Sequence, residues 1–147
     1  MKNLDLYKWI AGSANDFTKR FSYNDDLYYI ARGFWSHLES NGLLIIAIFV
    51  VIGLLFAYCY YGPYNNIPGR HYKPKYWLIF ILITFVASFT LTLVFEYITA
   101  APKLDGALML EIKIALGNAI YAPLVYFITS IVWCNWLPTN AYRLFKF

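Results

Sequence analysis

Three runs of this chain carry no charged side chain, and together they fill most of it: residues 40–69, 76–95 and 114–142. The first contains Gly42–Tyr61 (GLLIIAIFVVIGLLFAYCYY), and the second reads YWLIFILITFVASFTLTLVF. A helix needs about 20 apolar residues to cross a hydrocarbon core about 30 Å thick. Lipid offers the backbone no hydrogen bonds, so only helices and closed barrels span it. The runs therefore predict an all-α membrane protein with three transmembrane helices, at about 42–61, 76–98 and 113–136.

Composition agrees. Apolar residues make up 61% of the chain and charged residues 14%, against about 25% charged in a soluble domain. The mean hydropathy is +0.51, so a large water-soluble core is excluded. Much of the Tyr and Trp lies at span ends (Tyr58, Tyr60, Tyr61, Tyr64, Tyr76, Trp77, Trp133, Trp136), where amphipathic rings settle among headgroups. The net charge of +4 is scattered among the spans. It reads as orientation and contact with anionic lipid rather than nucleic-acid binding. The N-terminal segment has acidic residues and no apolar stretch of its own, so no cleavable signal is expected, nor any lipidation motif.

Residues 1–41 form a different unit, an amphipathic arm preceding the bundle of residues 42–147. Leu6, Trp9/Ile10, Ala14, Phe17 and Phe21 recur at helical spacing, and so do Leu27, Ile30/Ala31, Phe34 and Leu38. Two short amphipathic helices follow, at about 5–21 and 24–39. A capping-box-like pair, Ser22 and Asp25, is expected to open the second. Asn41-Gly42 marks a break before the first span. Such helices lie in the interface or pack on a partner.

Two loops separate the spans. Residues 62–75 (GPYNNIPGRHYKPK) hold turn dipeptides and the basic residues Arg70, His71, Lys73 and Lys75, candidates for contact with headgroups or a partner. Residues 99–113 hold Pro102, which stops the second span. Basic residues close to span ends favour the cytoplasm. Arg70, Lys73, Lys75, Arg143 and Lys146 on one side outnumber Arg32, Lys103 and Lys113 on the other. The expectation is N-out, C-in, in a bacterial inner membrane; counting the whole arm reverses it. On that reading Cys59 and Cys134 face the reducing side and stay thiols.

The main chemical signal is in the second span. Thr84, Ser88, Thr92 and Glu96 are spaced by four, so they drift by only about 40° per step and share one face. A polar stripe ending in a carboxylate is either helix–helix glue or the lining of a path. Lys113, which opens the third span on the same side, is the expected ion-pair partner of Glu96, with Glu111 as its competitor. Asn118 needs a partner in lipid, and Pro123 should kink the third span or loosen one hydrogen bond. Gly53-x-x-x-Ala57 and Gly117 allow close helix approach.

No catalytic constellation emerges. His37 and His71 fall on opposite sides of the membrane, and no phosphate loop, His-x-x-x-His pair or carboxylate dyad occurs. No cofactor or metal is expected. The leading expectation is a non-catalytic subunit that anchors or scaffolds a larger membrane complex. Its partners would be lipid and other subunits or copies of itself. The alternative is a self-assembling pore or membrane-disrupting effector lined by the second span; the plan resembles phage class I holins in topology, without a shared motif. A third reading is a small transporter or lipid-headgroup enzyme acting through Arg70, His71 and Lys73.

Overall fold

The computed structural model describes residues 3–65, 74–139, 141 and 143–146, and among these it contains helices and no strand. The long helices are α4 (Gly42–Cys59), α5 (Lys75–Thr99) and α6 (Leu108–Trp136). They are preceded by α1 (Lys8–Ala11), α2 (Ala14–Thr18) and α3 (Asp25–Ser40). Gly42–Tyr64, Lys75–Thr99 and Leu108–Trp136 are each long and apolar enough to cross a membrane. This is a multi-pass membrane protein by length and composition.

The span ends follow local chemistry. The first span continues past Cys59 as a π-helical turn, Tyr60–Tyr64, with Pro63 inside it. Proline has no N–H to continue an α-helical ladder. Here the Asn65 side-chain amide donates to the Tyr60 carbonyl. α5 ends at Thr99, and Ala100 turns extended ahead of the cis Ala101–Pro102 peptide. α6 starts at Leu108 rather than at 113, and so takes in Glu111 and Lys113 as its opening turns. Gly106, at φ 92°, makes the turn that lets the apolar Leu108–Leu110 join the helix. α6 then runs unbroken through Pro123.

The arm differs from the expected pair of helices. The 5–21 segment is broken at Gly12, whose φ is 82°. A 3-10 turn (Asn3–Tyr7) and α1 lie before the break, and α2 and a 3-10 turn (Lys19–Phe21) after it. Ser13 caps α2 in a capping box with Asp16: the Asp16 amide donates to Ser13 Oγ (3.2 Å), and Ser13 N and Oγ donate to Asp16 Oδ2 (3.0 and 2.6 Å). These bonds hold the Asp16 carboxyl below its ordinary range. The box expected at Ser22 and Asp25 does not form. Asn24 caps α3 instead, accepting from the Asp26 and Leu27 amides, while Ser22 donates to the Lys19 carbonyl (2.8 Å). α3 buries Ala31, Phe34, Trp35 and Leu38, which matches its predicted apolar stripe.

α6 is the central helix, packed on both α5 and α4. At the end where the chain enters, Leu4, Tyr7, Phe17, Phe34 and Leu38 of the arm share one apolar cluster with Ile45, Ala107, Leu110 and Ile114. The arm is therefore continuous with the bundle core rather than separate from it. At the other end Tyr60, Tyr61, Trp77 and Tyr126 pack with Cys134, Trp133 and Phe145. The outward faces of the spans are apolar and exposed, as at Leu43, Leu54, Leu78, Leu82, Val86 and Ile128, which is what lipid contact requires.

Candidate functional site

The four-residue ladder of α5 forms the predicted single face. Thr84, Ser88, Thr92 and Glu96 are all 0% exposed. They meet a face of α6 that buries Glu111, Ile114, Asn118, Ala122, Tyr126 and Ser130. α5 thus turns its small and polar residues inward and Leu78, Leu82 and Val86 outward, while α6 meets it with a mostly small and polar face. The result is a polar seam between the second and third spans.

Asn118 is the hub of the seam. Its Nδ2 donates to the Ile45 carbonyl and to Thr92 Oγ1, both at 2.8 Å. Its Oδ1 accepts from the Tyr7 hydroxyl at 2.5 Å. Its backbone carbonyl accepts from Ser88 Oγ at 3.2 Å. One amide therefore ties the arm to all three spans. Thr84 returns its hydroxyl to the Phe80 carbonyl (2.7 Å), the usual economy of a hydroxyl in lipid. Further along, Trp77 Nε1 donates to Ser130 Oγ (3.1 Å), which donates to the Tyr126 carbonyl (2.8 Å).

The arm is latched to α6 beside this hub. Trp9 Nε1 donates to the Tyr121 hydroxyl (2.6 Å), which donates to the Leu6 carbonyl (2.9 Å). Gly117 makes the latch possible, since a Cβ there would lie 2.8 Å from the Tyr7 ring. Gly117 thus serves the arm rather than a second helix. Gly53 does serve helix packing: its missing Cβ would meet Val125 at 2.7 Å and the Ala122 carbonyl at 2.8 Å. Ala57, one turn on, is fully buried. Burial, and after it the neighbouring Glu96 carboxyl, raise the Tyr7 hydroxyl well above the ordinary tyrosine range. It therefore stays a donor.

The expected Glu96–Lys113 pair does not form. Both Glu96 carboxyl oxygens are buried without a hydrogen-bond partner, and the acid buried on α6 at this end is a second carboxyl, Glu111. Lys113 lies five residues from Asn118, which rotates it about 140° away from the seam. It lines a crevice with Phe17 and Arg20 instead. Glu111, 5% exposed, lines a hollow of about 280 Å³ together with Ala100, Lys103 and Asp105.

Of the basic first loop, Arg70, His71 and Lys73 lie outside the described residues. Lys75 is exposed, with its ammonium 5.4 Å from the Tyr76 ring centroid. His37 Nε2 bonds the Thr99 carbonyl at 2.7 Å, fastening α3 to the end of α5. Cys59 and Cys134 are both free. Among the described residues no group of three or more His, Cys, Asp or Glu is placed to hold a metal. Tyr7, Trp9, Tyr121 and Trp77 were not readable as seam residues, because in sequence they look like ordinary interfacial aromatics.

No protein-family model, curated protein or solved structure matches this chain.

Proposed function

We propose that this chain is a non-catalytic integral membrane subunit, anchoring or bracing other chains or further copies of itself. The observation that supports this most is how the polar stripe is used. Thr84, Ser88, Thr92 and Asn118 have no exposure, and their hydrogen bonds close within the chain. What faces outward along α5 is Leu78, Leu82, Val86, Leu91 and Val94. Contiguous exposed apolar surface marks a membrane or protein contact. A ring lined by the second span would have to open the α5–α6 seam and strip Asn118 of its α5 partners, Thr92 and Ser88. That counts against the pore reading.

Under the same proposal the membrane is a bacterial inner membrane with loop 1 and the C-terminus in the cytoplasm; the basic residues near the span ends support that orientation. The test is purification of the tagged chain from its native membrane in mild detergent. The expected result is co-elution with other gene products, or with itself, at fixed stoichiometry. A chain that elutes alone as a monomer after chemical crosslinking in intact membranes would contradict the subunit role.

A further inference from the structure

We propose that Glu96 is a proton-binding site, and that the proton it holds lets the N-terminal arm dock onto the bundle. The geometry carries this. Glu96 is 0% exposed, and neither carboxyl oxygen has a hydrogen-bond partner or a solvent-accessible face. An ionised carboxylate in such a place, with no donor and no cation, is strongly disfavoured. With both oxygens closed off, no space remains there for a hydrated metal ion. The proton is the cation that fits.

The groups facing Glu96 do not relieve a charge. Tyr7, from the arm, already donates its hydroxyl to Asn118. Glu111, from α6, is a second carboxyl. The other charged or titratable groups at this end point elsewhere. Lys103 lies over the Tyr97 ring at 4.6 Å, Lys113 lines the crevice with Arg20, and His37 bonds Thr99. Glu111 itself lines the hollow shared with Lys103 and Asp105.

Docking and proton binding are then linked. When Glu96 loses its proton, an unpaired charge sits under Tyr7. α5 and α6 are continuous helices, whereas the short segment Asn3–Ala11 is held by side-chain bonds through Tyr7, Trp9 and the Leu6 carbonyl and by the burial of Leu4 and Tyr7. Lifting the arm admits water to the carboxylate at least structural cost. Raising the pH therefore releases the arm, and the released fraction grows by at most about tenfold per pH unit for one proton. The proposal concerns the chain's own interior and holds whether or not it assembles with others.

The experiment uses the full chain in lipid nanodiscs. The protein has three glutamates, Glu39, Glu96 and Glu111, so infrared spectra with carbon-13 glutamate can find a protonated carboxyl. The expected result is an isotope-shifted carboxylic-acid band at neutral pH that vanishes in Glu96→Gln. Absence of that band in the wild type overturns the proposal, even if no variant folds. The second arm is tryptic cleavage after Lys8, taken as the ratio of wild type to Glu96→Gln at each pH. The glutamine mimics the protonated acid, so the ratio should climb with pH, by up to about tenfold per unit, from the ordinary carboxylate range upward, and level off once Glu96 ionises in the docked arm as well. A ratio that stays flat from acid to alkaline pH overturns the coupling.

Discussion

At the scale of the residue, Asn118 concentrates more consequence than any other position. Every polar atom of its side chain is used, on partners from the arm, the first span and the second. Interhelical hydrogen bonds in membranes average about 0.6 kcal/mol and reach about 1.7. Asn118→Leu should therefore cost about 2 kcal/mol in reversible unfolding in bicelles, and it should loosen the arm as well as the spans. The two glycines separate these effects. Gly117→Ala puts a methyl group into the Tyr7 ring, so it should free the arm and leave the three spans packed. Gly53→Ala drives a methyl group into the Ala122 backbone. Backbone yields less than a ring, so it should destabilise the α4–α6 contact by about 1–3 kcal/mol, the usual range for overpacking. Proteolysis of the arm beside bundle unfolding distinguishes the two variants.

At the scale of the element, the spans were legible because their signal is one-dimensional. An uncharged run long enough to cross lipid needs no tertiary information, and residues 40–69, 76–95 and 114–142 supply it. The α5 stripe was legible for a related reason, since spacing by four fixes a face by rotation alone. What faces that stripe was not. The Tyr7–Asn118 bond joins residues 111 apart in sequence, and nothing local in the arm marks Tyr7 as its donor. The break at Gly12 was missed because the apolar stripe continues across it, while the glycine and Ser13 restart the helix through a cap. The Glu96–Lys113 expectation failed on rotation: both residues lie at the right level, but Lys113 points toward the arm. It follows that the effects of Glu96→Ala and Lys113→Ala on stability should add, within about 0.3–0.5 kcal/mol. A larger coupling energy from the double-mutant cycle would show that the two side chains do meet.

At the scale of the molecule, the three runs have unequal roles. The first is a close-packing anchor, held to α6 at Gly53. The third is the axis on which α1, α4 and α5 pack. The second turns its polar face inward to that axis and its apolar face to lipid, so the polar stripe lies on no exposed surface. The arm then closes one end of the seam through Tyr7. The measurement that tests this most directly is thiol accessibility along the stripe. In a background carrying Cys59→Ser and Cys134→Ala, single Thr84→Cys, Ser88→Cys and Thr92→Cys variants are treated in native membranes with a water-soluble thiol reagent. Asn15→Cys, on the exposed face of the arm, serves as the accessible control. The account predicts that Asn15→Cys labels at once, while the three stripe positions label only after denaturation. Rapid labelling of all three in intact membranes would mean that the stripe faces water, and the seam described here would not be the working arrangement of the second span.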